Sequence, residues 1–280
     1  MSSILSDILF VIAYHVVRYR RGVTSANLAK AYPQLSAERR KEIERAYYHH
    51  ICDLLMEGIY NLYARPQSIM KRYRFVNREV VNHYYESGQS VVLMSAHYNN
   101  WEYMITSLNY QVMHHGVGVG KPLQDKSVAL FITRRRGRYG TEIVDQHNVR
   151  QTMDYYHQHK VPVAYMMLSD QSPNDVHKSF WTMFMNQETP FLYGAEYFAR
   201  KYNMPVLYYE VTKVQRGRYE VRFTPLCERP DEVPQYTITS RYIAMLKQTI
   251  DKKPEYWLWS HRRWKRTRPA DMELKPLTVE

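Results

Sequence analysis

The sequence predicts an α/β protein with a mostly parallel central sheet, helices on both of its faces, and a short membrane-associating helix at the N-terminus. Three observations predict it. From Gly88 onward, short runs of β-forming apolar residues alternate with stretches of helical periodicity, the pattern of parallel strands joined by crossover helices. Apolar residues make up 45% of the 280 and charged residues 24%, which allows a sizeable core and excludes a disordered chain. Ten glycines and 13 prolines exclude a collagen-like or linker-dominated chain, and no repeat, low-complexity stretch or interdomain linker divides it. The expected organisation is an apolar and basic segment, residues 1–21, followed by one α/β domain, residues 22–280.

The elements follow in order. Ile4 to Val17 is an apolar stretch of about 14 residues interrupted by Asp7 and His15, whereas a membrane-spanning helix needs roughly 20. It lacks the basic leader and small-residue cleavage site of a signal peptide. Arg18, Arg20 and Arg21 follow directly, so the helix is expected to lie on or dip into an anionic membrane surface, the alternative being an ordinary buried first helix. Ser36 to Tyr63 predicts one long helix. Ser36 can cap it, Glu38 suits its first turn, and Ile43, Tyr47, Ile51, Leu54, Leu55 and Ile59 recur at helical spacing. Strands are expected over Ser90–Ala96, Val112–Gly120, Val161–Leu168 and Met204–Val211, with Arg218–Thr224 pairing with the last of these as a hairpin through Gly217. Helices are expected over Trp101–Tyr110, Lys126–Arg136, Val149–His159, Phe191–Tyr202 and Ile238–Ile250.

Composition narrows the function. A net charge of +12 favours anionic partners: nucleic acid, a phospholipid surface, or a phosphorylated or acyl-carrier substrate. Two cysteines, Cys52 and Cys227, exclude a disulfide framework and a four-cysteine zinc site. Twelve histidines include the adjacent pairs His49-His50 and His114-His115, but neighbours in sequence point apart, and no HExxH or Cys/His set has zinc-ligand spacing. No metal and no cofactor are expected. P-loop, GxGxxG and GxSxG motifs are absent from the sequence.

In open α/β sheets ligands sit beyond the carboxyl ends of the strands. The first such end reads Ala96-His97-Tyr98-Asn99-Asn100-Trp101-Glu102, the second Gly120-Lys121-Pro122, the third Ser169-Asp170-Gln171-Ser172-Pro173. They offer a base with a carboxylate, a cation, and a carboxylate with an amide. If His97 lies on the turn and Glu102 in the first turn of the following helix, the carboxylate can reach the imidazole, fix its tautomer and stabilise the imidazolium, as a general base requires. The bland alternative is a loop histidine beside a helix-terminal Glu. Three basic clusters remain: Arg18 to Arg21; Arg134, Arg135, Arg136 and Arg138; and Arg262 to Arg268, set among Trp257, Trp259 and Trp264. They suit solvated surface or contact with a membrane or acidic substrate. Nucleic acid fits less well, because no helix-turn-helix, RNA-recognition or zinc-finger pattern accompanies the charge.

Several of these segments together resemble the late lipid A acyltransferases of the lauroyl and myristoyl types. His97-Tyr98-Asn99-Asn100-Trp101-Glu102 resembles the family's H-x4-D/E block, Leu168 to Pro173 its Asp-Gln segment, Arg18 to Leu28 the basic stretch after its membrane anchor, and Pro254 to Lys265 its C-terminal block. The resemblance runs in order over nearly the whole chain. It implies a glycerol-phosphate-acyltransferase-like fold at the cytoplasmic face of the cell inner membrane. It also implies transfer of a fatty acyl chain from acyl-carrier protein to a hydroxyl of a lipid A precursor, with His97 as general base oriented by Glu102. Lys121, Arg134 and Arg136 become candidates to hold acceptor phosphates, and Asp170 and Gln171 to position the acceptor or brace the site. One departure bears on the acceptor. The family usually has Tyr-Arg-Pro where this chain has Gly120-Lys121-Pro122, and Lys keeps the charge but loses the bidentate fork. Alternatives are a same-fold acyltransferase acting on another glycolipid or a pigment and, more distantly, a basic nucleic-acid-binding protein.

Overall fold

A computed structural model of the chain describes residues 3–121 and 125–278. Met1 and Ser2 of the expected N-terminal segment, and Pro122 of the Gly120-Lys121-Pro122 strand end, lie outside the described residues. The chain begins with α1 (Ser3–Val11), extended by a π-helical turn (Ile12–Val16), then α2 (Arg21–Ala31), α3 (Ala37–Tyr63), α4 (Pro66–Met70), β1 (Tyr73–Phe75) and α5 (Glu79–Glu86). The alternating part follows: β2 (Val91–Ser95), α6 (Trp101–Gln111), β3 (His115–Gly120), α7 (Lys126–Gly137), β4 (Glu142–Asp145), α8 (Val149–Gln158) and β5 (Val163–Leu168). Then come β6 (Ser179–Phe184), β7 (Gln187–Leu192), α9 (Gly194–Lys201), β8 (Val206–Gln215), β9 (Arg218–Cys227) and α10 (Thr237–Lys252).

The fold is α/β, as the strand–helix alternation predicts. Seven strands form one sheet in the order β1-β9-β8-β2-β5-β3-β4, and the five from β8 to β4 run parallel. β9 turns back antiparallel to β8 through Gly217, whose φ of +76° suits a residue without a Cβ, and β1 joins β9 in parallel. Side chains alternate across the sheet. Val92, Met94, Tyr165 and Tyr208 enter a core shared with α10 and the β6–β7 hairpin. Val91, Leu93, Met166 and Leu207 enter a second core shared with α5 and α6. All five residues of β2 are buried, as expected for a central parallel strand.

The expected helix over Phe191–Tyr202 is corrected: Phe191 and Leu192 end β7, and the helix starts at Gly194. The β6–β7 hairpin escapes sequence reading because its two-residue turn is Met185-Asn186. Both residues take positive φ, 50° and 62°, where Asn-Gly would have given the signal.

Ser36 caps α3 by accepting the N–H of Arg39 at 3.2 Å. The apolar spacing on α3 marks two faces rather than one. Ile43 and Tyr47 are buried, but Leu55 and Ile59 are exposed, and Asp53, Glu57 and Asn61 fill the buried face at one-turn intervals. α1 lies along α3. Ser6 donates to Asp53 at 2.7 Å, and the Phe10 ring stacks on His49 at 3.5 Å. Asp7, which interrupts the apolar run, pairs with Arg216 of the β8–β9 turn at 2.7 Å. Ile4, Leu5, Ile8, Val11 and Ile12 face outward and are exposed. No helix among the described residues is long and apolar enough to cross a membrane.

Candidate active site

The register of the two central strands builds the site. Ser95 of β2 and Leu168 of β5 are register partners, and the Ser169 N–H donates to the Ser95 carbonyl at 3.1 Å. His97 and Asp170 each stand two residues beyond that pair, so they emerge side by side at the carboxyl edge of the sheet. His97 Nδ1 lies 2.7 Å from Asp170 Oδ1, and the His97 N–H donates to Asp170 Oδ2 at 3.1 Å. Trp257 Nε1 donates to the same Oδ2 at 2.8 Å. Burial pushes the Asp170 carboxyl up, but the His97 charge and the hydrogen bonds from His97 and Trp257 outweigh it and hold it below the ordinary carboxylate range. An ionised Asp170 accepts from Nδ1–H, which leaves the Nε2 lone pair available. The Trp101 ring meets the imidazole edge-on with centroids 5.2 Å apart, and Gln171 Nε2 lies 3.2 Å from His97 Nε2.

The hydrogen bond expected between His97 and Glu102 is not made among the described residues. Glu102 sits in the first turn of α6, as expected, but its carboxylate grips Arg136 of α7 bidentately: Nε to Oε2 at 2.9 Å and Nη2 to Oε1 at 2.5 Å. The reason is geometric. Asn100 caps α6 by accepting the Tyr103 N–H at 2.9 Å, and Asn99 takes a left-handed φ of 53°, so the chain turns between His97 and Glu102. Arg136 is therefore engaged by a carboxylate and is not a free phosphate ligand. Lys121 is exposed at the end of β3 and Arg134 is exposed on α7; among the described residues neither has a polar contact with His97 or Asp170.

Trp101, whose ring meets His97, also lines a cavity of about 340 Å³, within the ordinary range for small-molecule sites, although neither His97 nor Asp170 belongs to its lining. Ile51, Leu54, Leu55 and Ile59 of α3 and Ile132 of α7 make its apolar walls, Trp101 borders it, and Glu102 and Arg136 belong to its lining.

Sequence reasoning missed the part played by the C-terminal block. It was expected as a basic surface, and the structure corrects this: Trp257, Trp259 and Arg263 are buried, while Arg262 and Lys265 remain exposed. The block crosses the carboxyl edge of the sheet. Tyr256 O accepts the Asn99 N–H at 3.0 Å, His261 Nε2 accepts the Ser172 N–H at 3.1 Å, and Arg263 donates to Pro190 O at 2.7 Å across the Phe191 ring. Burial pushes His261 down to about 4, so it stays neutral and can accept. Tryptophans at 257 and 259, among arginines that outnumber nearby acids, were the available signal.

Residues 3–266 match the family model for bacterial lipid A biosynthesis acyltransferases. The chain belongs to that family. No curated protein matches it. Family membership makes it an acyltransferase of bacterial lipid A biosynthesis and covers every residue of the site just described.

Proposed function

We propose that this lipid A biosynthesis acyltransferase moves a fatty acyl chain from acyl-carrier protein to a hydroxyl of a lipid A precursor, with His97 as general base and Asp170 as the acid that orients it. The observation that carries the reading is the 2.7 Å His97–Asp170 bond at the carboxyl ends of the two central strands, linked by the Trp101 ring to a largely apolar cavity. Asp170 holds the Nδ1–H tautomer and balances the imidazolium that forms when Nε2 takes the acceptor proton. The acceptor oxygen attacks the thioester carbonyl, and the thiolate leaves with the proton that His97 holds. The acyl chain lies in the cavity against α3. Glu102 is part of the same wall and fixes Arg136 there, so its role is to hold a cation beside the chain rather than to orient His97. Lys121 and Arg134, both exposed, are retained as phosphate ligands.

The protein works at a membrane surface, the cytoplasmic face of the inner membrane. The outward apolar face of α1 and the adjacent Arg18 and Arg20 favour an anionic bilayer. The test is a purified protein given acyl-carrier protein thioester and a lipid A precursor, with product detected by mass spectrometry. Acylated precursor forms with the natural chain and is lost with His97→Ala. An acylated product in the His97→Ala reaction at the natural rate would exclude His97 as base.

A further inference from the structure

The group that faces the reacting nitrogen of His97 is an amide. Asp170 takes the Nδ1–H, so Nε2 carries a lone pair, and Gln171 Nε2 at 3.2 Å meets it as a donor. The orientation of the amide thus follows from the carboxylate on the other side of the ring. The nitrogen that must accept the hydroxyl proton is covered by an N–H, and a hydroxyl reaching Nε2 has to displace it.

The displaced amide stays close. Gln171 lies between two fastened residues: Asp170, bonded to His97 and Trp257, and Ser172, whose N–H is held by His261. Its side chain is only partly buried. Four of the nearby backbone donors are already engaged. The N–H groups of His97, Tyr98, Asn99 and Ser172 bond Asp170 Oδ2, Ala96 O, Tyr256 O and His261 Nε2. The Arg136 guanidinium is held by both oxygens of Glu102. Attack on a thioester at Nε2 places a negative oxygen within a few ångströms of the Gln171 amide, which can turn to it without breaking another bond.

We propose that Gln171 is a catalytic residue with two successive tasks: its amide N–H covers His97 Nε2 until the acceptor hydroxyl arrives, and then donates to the oxyanion. The inference rests on His97 being the base. In the step, the hydroxyl O–H bond breaks and its proton goes to Nε2. The oxygen forms a bond to the carbonyl carbon, and the C=O π pair moves onto the carbonyl oxygen facing Gln171. That pair then returns, the C–S bond breaks, and the thiolate takes the proton from Nε2.

The test is steady-state kinetics on Gln171→Leu, Gln171→Met, Gln171→Asn and His97→Ala, with acyl-carrier protein thioester and a lipid A precursor. Loss of one oxyanion donor typically lowers kcat by about 10²–10³-fold. Gln171→Leu and Gln171→Met are expected to show that loss with both KM values within a few-fold of natural, and Gln171→Asn, one methylene short, a smaller one. A purely structural role would not confine the loss to kcat while both KM values and the folded state are kept. Two apolar replacements of similar length keep the test open if one of them folds poorly. Natural kcat in a folded Gln171→Leu or Gln171→Met protein, with His97→Ala inactive, overturns this proposal alone. Activity in His97→Ala overturns the assignment beneath it.

Discussion

At the scale of single residues, the site depends on side chains that do no chemistry. Glu57 is buried in α3 and accepts from Asn100 Nδ2 at 2.6 Å and from the Tyr219 hydroxyl at 2.9 Å. Burial pushes its carboxyl up. Asn100 in turn caps α6, so Glu57 anchors the helix that carries Glu102. Glu57→Leu leaves two buried donors without an acceptor, at about 1–3 kcal/mol each. Urea unfolding should show a loss of a few kcal/mol, whereas Glu57→Gln, which keeps an acceptor oxygen, should lose much less. Glu102 and Arg136 form a second unit. If they act only through each other, the double variant Glu102→Gln with Arg136→Gln should fall no further in kcat/KM than the worse single one. An additive loss would mean that one of them contacts substrate independently.

At the scale of elements, α1 has two faces with different work. The inner face, through Ser6, Asp7 and Phe10, fastens the helix to α3 and the β8–β9 turn. The outer face is apolar and exposed. Changing Ile8 and Val16 to Ser should reduce sedimentation with anionic vesicles while leaving Tm nearly unchanged, since exposed sites usually shift stability by no more than about 0.5 kcal/mol. Deleting residues 1–21 should lower both, because it also uncovers Tyr48 and His49. Unchanged vesicle binding in the serine variant would place the contact elsewhere. The strands of the parallel sheet from β2 onward, apart from β4, were legible because apolar runs and strand ends are local signals. β1 and β4 span only Tyr73–Phe75 and Glu142–Asp145, too short for alternation to stand out. His97 was legible for the same reason. Its partner was not: Glu102 is five residues away in sequence, whereas Asp170 is brought there by β2–β5 register, which no local spacing records.

At the scale of the whole molecule, buried histidines make stability depend on pH. Among the described residues His50 has neither ring nitrogen bonded, and burial pushes it down to about 3; burial pushes His114 and His261 down to about 4. In the unfolded chain all three titrate near 6.5. Between roughly pH 6.5 and 4 the unfolded state therefore binds protons that the folded state does not, and stability falls as pH falls, by about 1.4 kcal/mol per pH unit for each. Asp170, held low in the fold, adds a loss only at pH below roughly 3.9. Urea midpoints across this range should show the decline, and His50→Leu should flatten it by about a third; a flat natural profile would mean that these rings are hydrated. The same whole-molecule logic joins two distant strand ends into one base, and that is what most needs a direct test. The measurement is kcat and KM for acyl transfer by Asp170→Asn and Glu102→Gln, both shown to be folded. Asp170→Asn should lose about 10²–10⁴-fold and Glu102→Gln about tenfold or less, mostly in KM. The reverse order, a slow Glu102→Gln beside a fast Asp170→Asn, would contradict the His97–Asp170 pairing as the working dyad.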